Sequence, residues 1–267
     1  MFSSKDLRDY LGAYQRVWSY IESLGTRDAA VQGIARKRVY FDDRMMASLD
    51  QAGIVYFDPN LIDTDRVEYL SDGRDLGLFS DTKNGRLFFL SGRYVLPIRD
   101  MSGNVIALVG WLDDGKKYLT TGSEYFSKST LFYGMERIPE GGPSFIVEGI
   151  FDRLAIQAAG YRAFATMGIS TDKRKQVLYN LMGRVVGIPD SDREGRKVVE
   201  NDSWGLPTGS SYFRWHGEYD FGGDIGSKPI KDIDMFIKSF GTDYAHSLLM
   251  DVYKSADSRV IKLDLTV

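Results

Sequence analysis

The sequence predicts an α/β protein: a Rossmann-like parallel sheet with flanking helices, preceded by a smaller mixed α+β subdomain. Three observations carry this reading. From residue 143 onward, short apolar runs alternate with helix-length stretches in the order β-α-β-α-β-α-β, the rhythm of a parallel sheet with helical crossovers. Ahead of it, residues 86–121 hold strand-like runs separated by turn formers, the pattern of a small antiparallel unit. Finally, acidic residues stand where two of the parallel strands end, at the edge where open parallel sheets collect ligands.

Taken in order, residues 1–56 alternate helix-like stretches with short polar breaks, and "MMASLDQAG" (45–53) reads as the end of a helix stopped by Gly53. The Asp-rich stretch 58–85 has little periodicity and reads as irregular or hairpin-forming, with "NG" at 84–85 as a turn. "RLFFL" (86–90), "RYVLPI" (93–98) and "VIALVGWL" (105–112) follow as strands. In the second half, "PSFIVEG" reads as a buried strand and "FDRLAIQAAG" as a helix closed by Gly160. "YRAFATMG" is a second strand, and "STDKRKQVLYNLMG" a helix opening on a Ser/Thr cap, with Val177, Leu178, Leu181 and Met182 on one face. "RVVGIPD" is the third strand, "REGRKVVENDSWG" a helix and "SSYFRWH" the fourth strand. "YAHSLLMDVYKSA" places apolar residues at 245, 248, 249, 252, 253 and 256, a helical stripe.

The bulk composition narrows the function. The 267 residues suffice for one large or two small domains, and 43% hydrophobic with 27% charged residues is the balance of a soluble globular chain. No apolar run approaches the roughly 18–20 residues of a membrane span, and the N-terminal "MFSSKDLRDYLGAY" lacks a signal-peptide core. A cytoplasmic, membrane-free protein is expected. With no cysteine and only His216 and His246, thiolate chemistry, disulfides and a zinc site in this chain are not expected. A net charge of −3 and a pI near 5.5 do not favour salt-driven nucleic-acid binding. The basic clusters Arg36-Lys37-Arg38 and Lys173-Arg174-Lys175 read first as solvated surface.

"GIPDSDREG" (187–195) is the most informative stretch. Asp190 and Asp192 stand two apart at the end of an extended run, so their carboxylates face one side, and Pro189 helps hold that geometry. Glu148 ends the first predicted strand, which puts it on the same sheet edge. Clustered carboxylates raise one another's pKa unless a cation neutralises them. Hard oxygen donors of this kind suit Mg²⁺ or Mn²⁺, and such ions take phosphate oxygens as further ligands. Asp152, four residues after Glu148, is a further candidate. So is the pair Asp232 and Asp234 in "KDID", where an N-cap role is an equal alternative.

Strand-Glu-Gly, helix, then a strand ending in Asp-x-Asp-x-x-Gly resembles the Toprim domain, here over about residues 143–235. That domain is shared by topoisomerases, DnaG-type primases, some nucleases and a recombination mediator, so it fixes fold and metal better than reaction. The upstream half is more selective. "RYVLPIRDMSGNVIALVGW" (93–111) and "KKYLTTGSEYFSKSTLFYGMERI" (116–138) resemble the segment before Toprim in DnaG-type primases, roughly R-x-x-x-P-I-R-D-x-x-G-x-V-I-x-x-x-G-R, then K-Y-L-N-S, then F-x-K-x-x-x-L-Y-G. Arg93, Pro97, Ile98, Arg99, Asp100, Gly103, Val105, Ile106, Gly110, Lys117, Tyr118, Leu119, Phe126, Lys128, Tyr133 and Gly134 match. "FATMGIST" (164–171) is similar to the family's A-S-L-G-T-S loop.

The resemblance implies a DNA primase that synthesises short RNA primers on single-stranded DNA from ribonucleoside triphosphates by two-metal nucleotidyl transfer during replication. It implies a core metal centre of Glu148, Asp190 and Asp192, with Asp152, Asp232 and Asp234 around it. Two Mg²⁺ or Mn²⁺ ions there would bind the nucleotide's phosphates and lower the pKa of the attacking 3′-hydroxyl, with Glu148 assisting as a base. Lys117 and Lys128 would meet phosphates of nucleotide or template, and Arg93 and Arg99 would neutralise backbone charge. The implied division is a primase-core subdomain at 1–142, a Toprim domain at 143–235 and a C-terminal helical segment at 236–267.

Three departures stand out. Trp111 replaces the family's Arg, and packing is its favoured role. "TTG" (120–122) replaces Asn-Ser-Pro. The family's N-terminal zinc ribbon has no cysteines here to build it, so the implied form is a compact phage- or plasmid-like core, working with a replicative helicase and a separate zinc-ribbon protein. A Toprim nuclease and a catalytically silent Toprim DNA-binding scaffold are the alternatives.

Overall fold

The computed structural model describes all residues except 1–3, 41, 83–84, 89, 113–117, 122–128, 169–172, 216–218, 221–226, 229, 257–259 and 262–267. The chain forms two units. The first comprises residues 1–40 and 49–127, the second 41–48 and 128–267.

The first unit opens on α1 (Ser4–Ser23) and α2 (Arg27–Arg38). Next comes α3 (Asp43–Gln51), along which the division between units falls. Gly53, at φ +71°, stops α3 as the sequence predicts, its N–H donating to Asp50 O at 2.9 Å. β1 (Val55–Tyr56) follows, and then α4 (Thr64–Leu70). This helix lies within the stretch read as irregular. Asp63 caps it by accepting from Arg66 N at 3.0 Å, and Val67 is its buried residue, too little apolar signal to register as periodicity.

β2 (Phe79–Thr82) and β3 (Gly85–Phe88) pair antiparallel, with Thr82 opposite Gly85. The predicted hairpin is there, with Gly85 of the predicted turn pair already in its second strand and Asn84 outside the described residues. β4 (Tyr94–Arg99), β5 (Val105–Trp111) and β6 (Tyr118–Thr120) complete an antiparallel sheet of order β1-β4-β5-β6. One face of α1 supplies Tyr14, Val17, Trp18 and Ile21 to a core shared with Val95, Val105 and Leu108. Trp111 is buried, its ring 5.8 Å from that of Tyr94 with the Arg38 guanidinium 5.6 Å above it. Packing accounts for this departure from the family pattern.

In the second unit a short 3₁₀ turn (Met135–Glu140) precedes β7 (Ser144–Val147), α5 (Ile150–Ala158), β8 (Arg162–Ala165), α6 (Lys173–Met182), β9 (Val185–Ile188), α7 (Arg193–Asn201) and β10 (Ser211–Phe213). After the small ribbon β11 (Tyr219–Asp220) and β12 (Ser227–Lys228) come α8 (Ile233–Lys254) and β13 (Val260–Ile261). The main sheet has order β13-β10-β9-β7-β8 and every pairing in it is parallel. β7, β8 and β9 are buried at every position, which is why they read as continuous apolar runs.

The division between units falls at 127/128, ahead of the sequence boundary at 142, because Tyr133 bridges Ala165 at the sheet. Residues 236–267 also belong to this unit. α8 packs on α5 through its predicted stripe, with Ala245, Leu248, Leu249 and Val252 buried, and it breaks at Gly241, φ +84°. β13 then extends the sheet.

α6 corrects two sequence expectations. Its predicted apolar face is buried only at Met182: Val177 and Leu181 are 63% and 54% exposed, while Tyr179 and Lys175 turn inward instead. Lys175, read as solvated surface, has its Nζ 3.0 Å from Thr166 O and 4.7 Å from the centre of the Phe132 ring. Burial pushes its pKa down to about 7 from an ordinary 10.5. The unfolded chain therefore binds the proton more tightly, and stability rises with pH between about 7 and 10.5. Replacing Lys175 with Met should flatten that slope. Below pH 7 it should stabilise the fold by roughly 2 kcal/mol, the desolvation penalty less the lost hydrogen bond. Denaturant melts of parent and variant at pH 6 and pH 10 measure this directly; equal slopes in the two proteins would refute it.

Candidate active site

Val147 of β7 pairs with Ile188 of β9, so the chain leaves both strands side by side at their carboxyl ends. Glu148 and Asp190 follow within two residues of that pair. The Asp190 N–H points at Glu148 Oε1 at 3.4 Å. On the other side of Glu148, Met167 N–H donates to the Glu148 carbonyl at 3.1 Å. Met167 does so with φ +57°, a left-handed conformation uncommon for a side-chain-bearing residue.

The helices after the strands fix the remaining acids. Asp192 caps α7, its Oδ1 accepting from Glu194 N and Gly195 N, both at 3.0 Å. Gly195 lets α7 start against the preceding loop. A Cβ there would overlap the Asp190 carbonyl oxygen and stand 2.8 Å from its carbon and 3.0 Å from Asp190 N. Asp232 caps α8, accepting from Met235 N at 2.7 Å, so the N-cap alternative is realised at that position. Asp234, in the first turn of α8, is buried, with its N–H 3.2 Å from Asp152 Oδ1 and its carboxylate 2.6 Å from Lys238 Nζ. The two acidic loops are tied together by Ser191 N–H donating to Lys231 O at 2.7 Å.

Lys231 is the site residue that the sequence reading missed. Its Nζ lies 3.1 Å from Asp190 Oδ2 and 3.9 Å from Asp192 Oδ2, an ammonium set against the acidic pair. The available signal was its place directly before the Asp-x-Asp of "KDID".

The electrostatics follow from this crowding. Burial, then the charges of Asp190 and Asp192, push the Glu148 pKa up to about 7, against a pull downward from the Asp190 N–H and Lys231. Burial raises Asp190, with Lys231 opposing. Asp152 is held well above the ordinary carboxylate range by burial and by Asp232, Asp234 and Asp190. Burial also raises Asp232, against the Met235 N–H. For Lys231 burial acts downward, but Asp190, Asp232 and Asp192 carry its pKa upward.

Among the described residues no three of these side chains meet in a metal-holding group as placed. The donor set nevertheless fits a hard divalent cation. Its donors are carboxylate oxygens alone, and they are destabilised by one another, a cost that a bound cation relieves.

Of the other predicted site residues, Arg93 and Arg99 lie in the first unit on and beside β4. The Arg99 Nη1 donates to Gly103 O at 3.0 Å across the β4–β5 turn. Lys117 and Lys128 lie outside the described residues.

Comparison with known proteins bears on the fold. Residues 145–209 match the family model described as Toprim-like. That match lies within the second unit. Over 113 residues the chain is 38% identical to the DNA primase of Borreliella burgdorferi, an alignment covering 39% of this chain and 21% of that protein. The fold is that of the DnaG-type primase core. The zinc-binding and RNA polymerase domains of the Aquifex aeolicus primase superpose with a TM-score of 0.68 at 24% identity, covering 93% of this chain and 62% of that one. A DnaG primase catalytic domain bound to ssDNA superposes with a TM-score of 0.65 at 20% identity, covering 94% and 80%. The chain thus aligns with about a fifth of the curated relatives' length. Among the described residues no helix is long and apolar enough to cross a membrane.

Proposed function

We propose that this chain is the catalytic core of a DNA primase, joining ribonucleotides into short primers on a single-stranded DNA template. The observation that carries this is the juxtaposition of Glu148 and Asp190 on neighbouring parallel strands of the Toprim domain, with Asp192 and Lys231 beside them. Similarity to bacterial primases supports the choice of reaction.

Glu148, Asp190 and Asp192 would hold Mg²⁺ or Mn²⁺, with Asp152, Asp232 and Asp234 in support. Such an ion supplies charge to neutralise the nucleotide's phosphates and to acidify a 3′-hydroxyl. Glu148, titrating near neutrality, is poised to accept that hydroxyl's proton. Asp232 and Asp192 each fix a helix N-terminus at the site. Lys231 balances the charge of Asp190 beside Asp192 and offers a cation to the incoming phosphates. Lys117 and Lys128 meet phosphates of nucleotide or template, and Arg93 and Arg99 neutralise nucleic-acid backbone charge. A replicative helicase and a zinc-ribbon protein are the expected partners.

The test is incubation with single-stranded DNA, labelled ribonucleoside triphosphates and Mg²⁺ or Mn²⁺. Labelled oligoribonucleotides are expected. Their absence, even with a helicase and a zinc-ribbon partner supplied, would overturn the primase reading, and scission of the DNA would replace it with a nuclease.

A further inference from the structure

A cavity of about 180 Å³ opens beside the carboxylate edge, between α7 and the residues at the end of β10. Asp190, Ser191, Arg196, Val199, Arg214 and Trp215 are among its lining residues. Its size is that of cavities which accept one benzene-sized group, about 150 Å³, enough for a phosphate with part of its ester or for a short polyphosphate. Its charge is unusual for a neighbour of six acids. Arg196 is held at the rim by donation from Nη1 to Ser191 O at 2.8 Å, which leaves the rest of its fork available. Arg214 follows β10 directly and is anchored through its backbone N–H on Ile261 O. Among the described residues neither arginine is in an ion pair. The lining carboxylate, Asp190, already faces Lys231 at 3.1 Å. The polar side chains offered by the cavity are therefore mainly guanidinium donors, against an apolar wall that includes Val199 and Trp215. A donor-rich, cationic lining selects an acceptor-rich anion, and the planar guanidinium fork matches phosphate oxygens in particular.

We propose that this cavity is a phosphate subsite, with Arg196 and Arg214 as its ligands, lying alongside the carboxylate centre rather than within it. The proposal rests on the primase reading for the source of the phosphate, which is either the polyphosphate of a nucleoside triphosphate or the backbone of a nucleic-acid strand. Its position lets one substrate engage Asp190 from one side and the arginines from the other.

Binding in EDTA separates the subsite from any divalent ion. Calorimetric titration of the full chain with tripolyphosphate, and separately with a short single-stranded DNA oligonucleotide, should show the parent binding at least one of them. The double substitution Arg196→Gln plus Arg214→Gln should weaken that binding on the order of ten- to a hundredfold, as loss of charged hydrogen bonds does. A loss confined to tripolyphosphate assigns the subsite to the nucleotide, and a loss confined to the oligonucleotide assigns it to the strand. Val199→Phe, which fills the cavity and leaves both charges in place, should cause the same loss and carries the test if the double variant does not fold. A parent that binds neither probe, or unchanged binding in folded variants, would overturn the proposal. Failure of the parent to make primers would overturn the primase reading and leave this binding result standing.

Discussion

Replacing Gly195 with Ala should lower stability by roughly 3 kcal/mol, the upper end of overpacking costs, and reduce activity by at least about a hundredfold, the penalty for misplacing reacting groups by an ångström. The added Cβ meets the backbone of Asp190, not a side chain that could rotate away. Either α7 or the Asp190 loop must move. Moving α7 takes the Gly195 N–H from Asp192 Oδ1 and weakens the cap at its N-terminus. Moving the loop takes the Asp190 N–H from Glu148 Oε1 and Ser191 N–H from Lys231 O. Both routes pull apart the clustered acids of the proposed metal centre. A thermal melt and a primer-synthesis assay on the same preparation report the two losses, and a fully active, normally stable variant would show that the close approach is not needed.

Asp190→Asn should leave the fold intact and remove nearly all activity. Asp190 is the hub of the site: its N–H faces Glu148, its carboxylate faces Lys231, and its charge raises Glu148, Asp152 and Asp232. A carboxamide keeps the shape and loses one anionic donor for a divalent ion. Metal ions contribute several kcal/mol of transition-state stabilisation in such chemistry, and at about 1.4 kcal/mol per tenfold the expected loss is on the order of a thousandfold. Because burial and crowding make the ionised Asp190 costly, the variant should melt no lower than the parent when divalent ions are absent. Primer yield and melting temperature, measured together, distinguish this outcome from simple unfolding.

The parts of this site that could be read from sequence are those written in continuous apolar strands. The strands within "FIVEG" and "RVVGIPD" are buried at every position, so the acids that follow them, Glu148 and Asp190, could be placed on one edge without knowing the rest. Asp192 came with them through the extended spacing. What escaped were features decided by tertiary context. α4 has a sound Asp63 cap but a single buried residue, so periodicity had nothing to grip. On α6 the inward face follows Lys175, whose stem and amine find Phe132 and Thr166 only in the folded unit, and this leaves Val177 and Leu181 outside. Lys231 gave no local signal of its partners, because Asp190 and Asp192 lie some forty residues away and reach it through the pairing of two loops. β13, two residues long, carries no pattern by itself and exists because β10 offers it an edge.

The central claim is that the carboxylates at the ends of β7 and β9 hold a divalent ion. Calorimetric titration of the full chain with Mg²⁺ and Mn²⁺, beside the same titration of Asp190→Asn plus Asp192→Asn, tests it most directly. Saturable binding by the parent is expected, with its loss in the folded double variant. A parent that binds neither ion, or a double variant that binds as the parent does, would contradict it.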